Sequence, residues 1–448
     1  MTDYLVFICK LILKNSSLLP HVNAGTLTKE EINKLGDRLM KSMRDNIYDP
    51  VLKFSLKNRF LVISIFILPK AFRVHKVKTL YDKDKIVYNF VNMDKIFPSR
   101  DIKVSEEPKP IKRNIQTLPE TFTFEGEKKN LQEYLDYFWS DGMIVIHKDE
   151  IVYENYWLDN NESKKHISWS VAKSFISALI GIAFEEGLID SLEDPITKYL
   201  GDFKNTGYED VSIKDILQMS SGVQFNEDYA DYDSDINRFG RAIATGTSMR
   251  DFSRTLTKEK EPGTYMHYVS INTQVLGFLL QEVTNKSISE YLYEKIWNPL
   301  GMEDSAYFIL DDVEDELALG GLNATLRDYA KFGLLYLQKG RWNDSQILSE
   351  QWIEDSYKTD GEHLVPGVRD TSSNPWGYGY QWWVPGFPDN DYTASGVYNQ
   401  YIYIAPESEI VIAKTSSNYK YTSELQMSKD MHIAMFRSIA QHINPLLE

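Results

Sequence analysis

A serine and a lysine three residues apart stand at the front of an apolar stretch, in SWSVAKSF at residues 168–175. Residues at i and i+3 of a helix share a face, so the Lys173 amine would lie within reach of the Ser170 hydroxyl. The amino end of a helix favours negative charge on the serine oxygen, and burial lowers the pKa of a lysine. The pair could therefore act as nucleophile and base. A helix-capping serine beside a solvated lysine fits the same stretch equally well.

A second Ser-x-x-Lys match, Ser417 to Lys420, shows how readily this spacing arises. It follows a predicted strand, in a polar segment without helical periodicity. We interpret this second match as chance.

Two further segments contain residues that could assist a nucleophile. Tyr268 follows a Pro-Gly turn in PGTYMHYVSINTQVLG, at the start of an apolar helix, and its phenol could relay a proton. Gly396, in YTASGVYNQYIYIAP, precedes a predicted hairpin, where bare backbone can donate N–H bonds to a substrate. Taken singly, these residues would be interpreted as a packed tyrosine and a turn glycine.

The elements that must position these residues predict an α+β fold. Hairpins are expected at 142–157 and 400–416, and a helix follows Ser170 and stops at Gly187. The pattern from about 195 to 345 is mostly helical, and a last helix has apolar residues four apart, at Met427, Met431, Met435 and Ile439. We predict an antiparallel sheet assembled from both ends of this region and flanked by helices, with an all-helical insert beside it. The cleft between the two parts would hold the site.

The amino-terminal part is predicted to be separate. The polar, proline-containing segment 100–120 indicates a linker or strand-less arm, which makes 1–120 an extension of unknown role and 121–448 the main domain. The apolar runs at 4–14 and 60–68 are too short or too interrupted to span a membrane, and no cleavage site follows cleanly. Basic flanks permit shallow membrane association, so the expected location is cytoplasmic or membrane-associated.

Composition and missing motifs exclude several classes of function. The 448 residues carry a formal charge of -16, which repels nucleic acid, and the single cysteine, Cys9, permits neither an internal disulfide nor a thiolate metal cluster. The chain has no Gly-x-Ser-x-Gly elbow, His-Glu-x-x-His motif or Walker loop. We therefore expect no metal and no cofactor; the sequence does not indicate an oligomeric state.

Several motifs occur together in a family-like order: SVAK, ILQMSSGV at 216–223, PGTYMHY, GGLNATLRDYAKFG at 320–333, and ASG before the last hairpin. From about residue 80 to 435 the chain resembles the serine β-lactamase-related superfamily. That group includes class C β-lactamases, D-alanyl-D-alanine peptidases, esterases and 6-aminohexanoate-dimer hydrolases. The segment MSSGVQFNEDY at 219–229 is similar to the last branch in particular.

The resemblance implies a β-lactamase/transpeptidase-like fold and a set of roles. Ser170 would be the acylated nucleophile and Lys173 its base, while Tyr268 would carry the proton to the leaving group and activate the deacylating water. The backbone N–H groups of Ser170 and Val397 would form the oxyanion hole. Tyr229 is a candidate for substrate contact.

The chain departs from the family pattern at two places. Ser270 replaces the asparagine of Tyr-x-Asn, and Ala394-Ser395-Gly396 replaces Lys-Thr-Gly, which removes the cation expected to hold a substrate carboxylate. We expect Ser270, Ser395 and Gly396 to contact a small ester or amide that lacks a carboxylate at that place. The acidic run 226–235 also suits an amide bearing an amine, although a solvated loop explains it more simply. The alternatives are a D-Ala peptidase or β-lactamase, and a non-catalytic penicillin-fold binding protein.

Overall fold

The computed structural model describes residues 68–386 and 389–445. Its contacts divide the chain after Ala71, and the elements given below, apart from the first residues of the first helix, belong to the compact unit that begins at Phe72. The apolar run 4–14 lies outside the described residues, as does all of the run 60–68 except its last residue. No helix within the described ranges combines the length and the apolar character needed to cross a membrane.

The strands in the described part of the chain form four sheets. Their bounds are β1 Ser99–Ile102, β2 Lys112–Arg113, β3 Thr121–Phe124, β4 Glu127–Asn130, β5 Ser140–His147, β6 Glu150–Tyr156, β7 His166–Ile167, β8 Ala306–Ile309, β9 Leu322–Ala324, β10 Arg341–Trp342, β11 Ser345–Gln346, β12 Gly377–Tyr378, β13 Trp383–Val384, β14 Tyr392–Gly396, β15 Gln400–Ala405 and β16 Ile410–Ser416.

The α-helices of the same residues cover the sheets and fill the insert. Their bounds are α1 Leu68–Lys78, α2 Ile86–Phe90, α3 Leu131–Tyr137, α4 Ala172–Glu185, α5 Ile213–Leu217, α6 Asp235–Thr245, α7 Met249–Ser253, α8 Ser270–Thr284, α9 Ile288–Leu292, α10 Leu326–Leu337, α11 Glu350–Tyr357 and α12 Tyr421–Ile443.

The main sheet has eight strands in the order β12-β13-β14-β15-β16-β5-β6-β2. Its pairs are antiparallel except β2 with β6, and Ile412 of β16 stands opposite Val145 of β5. The sheet therefore joins an early hairpin to a late one. Both predicted hairpins are confirmed, as is the assembly of the sheet from the two ends of the region.

The two faces of this sheet are buried in different apolar clusters. Alternate residues of β5 point to opposite sides, so that Ile144 and Ile146 pack in one cluster while Met143 and Val145 pack in the other. Helix α10 lies against β15 and β16 on the first side, and α12 covers the second side. Burial on both faces explains why these strands are apolar at nearly every position.

Helix α4 is the central helix of the unit, with Ala172 through Ala183 all buried. It ends at Glu185, and Gly187, where the sequence predicted the stop, follows with a φ of 74° that suits a glycine. The N–H groups of Gly187 and Leu188 donate to the Phe184 and Ala183 carbonyls, at 3.0 and 2.9 Å. This paired arrangement is a Schellman motif.

The predicted linker is wrong, because segment 100–120 contributes to two sheets. Strand β1 pairs with β8, and β2 joins the edge of the main sheet beside β6. The compact unit consequently begins at Phe72, whereas the sequence suggested a boundary near residue 120. The all-helical insert is also wrong in part, since β8 and β9 lie within 195–345. Each also pairs with a strand distant in sequence, β8 with β1 and β9 with β7, and local periodicity could not reveal those pairings.

We predict that Gly181→Ala destabilises the protein. A Cβ on Gly181 would lie 2.5 Å from two ring atoms of Trp352, which is buried and has little room to move. Overpacking of this kind costs about 1–3 kcal/mol of the free energy of unfolding. Chemical denaturation followed by circular dichroism should show the loss.

The control is Gly240→Ala, within helix α6, where a Cβ meets nothing within 4 Å. This variant should be as stable as the parent or more stable, because alanine is the better helix former. Equal stability of both variants would show that Trp352 moves aside freely.

Candidate functional site

Ser170 lies in a 3₁₀ turn, Trp169–Val171, that leads directly into helix α4. The cap position of the helix is Val171, and no side chain caps it. Ser170 retains 8% of its exposure, whereas Lys173 retains 1%. The alternative of a capping serine and a solvated lysine is therefore wrong.

The Lys173 amine is held inside the protein by a single backbone acceptor. Its Nζ donates to the Leu319 carbonyl at 2.6 Å and lies 5.6 Å from the centroid of the Tyr268 ring. No carboxylate of the described residues lies within ion-pair distance of it. Burial lowers the pKa of Lys173 to about 7, and the negative charge of Glu227 opposes this effect. A large fraction of this amine is therefore neutral near pH 7 and able to accept a proton.

Tyr268 links Ser170 with Ser270. Its hydroxyl interacts with the hydroxyls of Ser170 and Ser270, while burial, aided by Glu227, raises its pKa above the ordinary value. The ring stacks on Trp383 with a centroid distance of 5.2 Å and an interplanar angle of 20°. The Tyr268 phenol is therefore protonated at neutral pH, as a proton donor must be.

Strand β14 ends against the backbone of the turn that carries Ser170. A Cβ on Gly396 would lie 2.6 Å from the Ser168 carbonyl oxygen and 3.2 Å from the Ser170 nitrogen. Only glycine permits so close an approach. The N–H groups of Ser170 and Val397 donate to no acceptor among the described residues, which leaves both available to a ligand. The sequence analysis expected bare backbone at Gly396 to approach a substrate, whereas the close contact seen here is with the protein's own backbone.

Glu227 is a site residue that the sequence interpretation missed. Its carboxylate accepts hydrogen bonds from the Ser270 N–H at 3.0 Å, the Ser270 hydroxyl at 2.5 Å and the Tyr229 hydroxyl at 2.7 Å. It thereby caps helix α8, whose first residue is Ser270. Glu227 lies within the acidic run interpreted as a solvated loop, yet it is only partly exposed. No local pattern distinguishes it from the exposed acidic residues beside it.

The remaining candidate residues are engaged within the protein. Ser270 is fully buried, and its hydroxyl is directed to Glu227. Tyr229 is partly exposed, and burial raises its pKa well above the ordinary value. Ser395 stands opposite Tyr401 in the β14–β15 pair, and the hydroxyls of these two residues interact. Hydrogen bonds to Glu227 thus link Tyr229 with Ser270, while the Ser395 side chain contacts Tyr401 on the neighbouring strand.

An aromatic group made up of Tyr81, Phe90, Trp169 and Tyr398 supports the two segments that meet at Gly396. Phe90 lies 5.4 Å from Trp169 and 5.2 Å from Tyr398, and Tyr81 stacks on Tyr398 at 5.0 Å, all between ring centroids. Trp169 and Tyr398 have φ values of 45° and 64°. Such backbone is strained for residues other than glycine, so it persists only where packing holds it.

Comparison with known proteins supports the architecture described above. A family model described as Beta-lactamase matches residues 130–433. A solved structure from Bacillus anthracis, provisionally described as a 6-aminohexanoate-dimer hydrolase, has a TM-score of 0.74 and 27% identity and covers 82% of this chain and 97% of that one. A penicillin binding protein from Bacillus halodurans, at a TM-score of 0.53 and 16% identity, covers 69% of this chain and 99% of that one and shares the fold. The predicted β-lactamase/transpeptidase-like fold is confirmed.

Two curated relatives are hydrolases by name. The 6-aminohexanoate-dimer hydrolase of Paenarthrobacter ureafaciens is 27% identical over 296 residues, which are 64% of this chain and 75% of that protein. The teichoic acid D-alanine hydrolase of Staphylococcus aureus is 24% identical over 250 residues, 55% of this chain and 57% of that protein.

Proposed function

This chain belongs to the beta-lactamase family of serine hydrolases, and from that premise we propose that it cleaves an ester or amide through an acyl-enzyme on Ser170. The observation that carries the proposal is the environment of Lys173. Its amine is buried without a counterion one helical turn from Ser170, and Tyr268 interacts with the same serine hydroxyl. A depressed lysine pKa beside a hydroxyl is the arrangement that activates such a nucleophile.

The proposed reaction has two stages. Lys173 takes the proton of the Ser170 hydroxyl as its oxygen attacks the carbonyl carbon, and the resulting oxyanion accepts bonds from the Ser170 and Val397 N–H groups. Tyr268 donates its proton to the leaving alcohol or amine and regains one from the Lys173 ammonium. A water molecule then releases the acyl group with the same residues acting in reverse.

The class of substrate is proposed from the relatives and from the site. The Paenarthrobacter relative is named for an amide dimer, which favours a linear amide here, while the ester chemistry of the same mechanism makes activated esters useful probes. A binding protein without catalysis has no need of a buried, uncompensated amine beside a serine, since burying that amine costs free energy.

We expect Ser170→Ala to abolish turnover of p-nitrophenyl acetate and labelling by a fluorophosphonate, because the attacking oxygen is removed. The measurements are the release of nitrophenolate and the mass of the intact protein after labelling. Ser177→Ala is the matched control, since this buried serine of the same helix has no hydrogen-bond partner among the described residues.

Full labelling of Ser170→Ala would contradict the proposal. If the parent protein forms no adduct on Ser170, the non-catalytic binding protein is the better interpretation. Turnover of nitrocefin would instead support a β-lactamase.

The pH dependence tests Lys173 as the base. Its pKa is lowered to about 7, and only the neutral amine can accept the serine proton. We therefore expect kcat/KM for p-nitrophenyl acetate to rise with pH through about 7 and then to level off. The rate of fluorophosphonate labelling should rise with pH over the same range, because labelling needs the same base. A rate that is independent of pH between 5 and 9, or that falls as pH rises, would contradict this assignment.

We expect the aromatic group to hold the two N–H donors of the proposed oxyanion hole in position. We expect Phe90→Leu to lower kcat for p-nitrophenyl acetate and the affinity for phenylboronic acid, each about tenfold, because Trp169 and Tyr398 lose a packing partner beside the two N–H donors. Boronic acids form a tetrahedral adduct with serine, so their affinity reports on the hole. Phe122→Leu, equally buried on the other side of the sheet, is the control for lost stability. Equal effects of both substitutions would assign Phe90 a purely structural role.

A further inference from the structure

Lys429, in the first half of helix α12, has an unusual environment for a lysine. Its ammonium lies over two tryptophan rings, 5.1 Å from the centroid of Trp383 and 5.9 Å from that of Trp376. Both rings are buried, with 4% of each residue exposed. Lys429 itself is partly exposed, so its ammonium can be reached by a ligand.

The ammonium of Lys429 has no acceptor in the described part of the chain, neither a hydrogen-bond partner nor a carboxylate within 4 Å. The adjacent Asp430 is engaged elsewhere, because its carboxylate accepts from the Trp376 indole at 3.0 Å and from Gln426 at 2.9 Å. Burial lowers the pKa of Lys429 to about 8, and the charges of Asp430 and Glu227 only partly oppose this.

Lys429 differs from the other lysines whose pKa is lowered by burial, because they have hydrogen-bond acceptors in the protein. Burial also lowers the pKa of Lys173, Lys331 and Lys414, but each of those three donates to a protein oxygen. An ammonium that is partly withdrawn from water and has no protein acceptor is costly, and an anion that binds it recovers part of this cost. The cation–π contacts with the two tryptophans hold the charge in place without using its N–H donors.

Trp383 links Lys429 to the proposed reaction centre. Its ring stacks on Tyr268, the proposed proton donor to the leaving group, and also lies beneath the Lys429 ammonium. The Lys429 ammonium is therefore separated by one aromatic ring from the phenol proposed to protonate the leaving group.

We propose that Lys429 binds a carboxylate on the leaving-group side of the substrate. The inference rests on the proposed function and narrows it to esters or amides whose alcohol or amine part ends in a carboxylate. The cation that Ala394-Ser395-Gly396 lacks is supplied instead by helix α12. The proposal differs in this respect from the expectation, drawn from the sequence, of a substrate without a carboxylate.

The test uses three aryl acetates whose leaving groups end in a carboxylate at increasing distance: 4-acetoxybenzoate, 4-acetoxyphenylacetate and 3-(4-acetoxyphenyl)propionate. Each is compared with its neutral carboxamide, and the quantity measured is the ratio of the two kcat/KM values. We expect the carboxylate to be favoured about tenfold for at least one length, since a charge-assisted hydrogen bond has about this strength. In Lys429→Met the ratio should fall to about one, and Lys429→Arg should restore most of it.

Lys420→Met is the matched control. Lys420 precedes the same helix and also lies over an aromatic ring, 3.9 Å from the centroid of Tyr137, so its loss removes one positive charge nearby. This variant should keep the parent ratio. A ratio that falls equally in both variants would indicate a general charge effect and overturn the proposal.

The outcomes separate this inference from the proposed function. If the neutral carboxamides are hydrolysed through Ser170 but no carboxylate is favoured, the inference fails and the proposed function stands. If no ester is hydrolysed, the proposed function fails, and calorimetric binding of 3-(4-hydroxyphenyl)propionate to the parent and to Lys429→Met decides the inference. Equal affinities would refute it, and a loss of about tenfold in the variant would support it.

Discussion

The contact between Gly396 and the backbone of Ser168 and Ser170 is the constraint on which the site depends. A Cβ on residue 396 would lie 2.6 Å from the Ser168 carbonyl oxygen and 3.2 Å from the Ser170 nitrogen, so only the hydrogen of a glycine fits at this position. The contact joins the end of a strand in the main sheet to the turn that begins the central helix. It thereby sets two N–H groups from distant parts of the chain beside the same serine. A larger residue would separate the sheet from the helix at the proposed substrate site.

Burial, as much as pairing with opposite charges, sets the protonation states of the ionisable groups in the site. Burial favours the neutral amine of Lys173 and the neutral phenol of Tyr268. The negative charge of Glu227 opposes the first effect and reinforces the second, because it stabilises an ammonium and destabilises a phenolate. Three hydrogen bonds from Tyr229 and Ser270 stabilise that carboxylate. One acidic residue therefore influences the pKa of both Lys173 and Tyr268, the two proposed proton-transfer groups.

The segment from Phe72 to residue 130, where the match to the family model begins, is part of the same structure. Strand β1 completes a sheet with β8, and β2 extends the main sheet. Tyr81 and Phe90 pack on Trp169 and Tyr398, the chain neighbours of the two N–H donors. Packing by residues from Phe72 onward thus stabilises the strained backbone at the site. A domain that began near residue 120 would lack this packing.

The sequence by itself determined the elements whose information is local. Spacing suggested the pairing of Ser170 with Lys173 but left a capping serine beside a solvated lysine equally possible, and the burial of Lys173 excluded that alternative. The two hairpins and the central helix with its stop near Gly187 follow from periodicity and turn residues. The role of Glu227, the strands within 100–120 and 195–345, and the position of Lys429 did not. Each of these depends on contacts between residues far apart in the chain. A carboxylate, a four-residue strand or a lysine has the same local pattern whether it faces solvent or a partner, and only tertiary packing decides between the two.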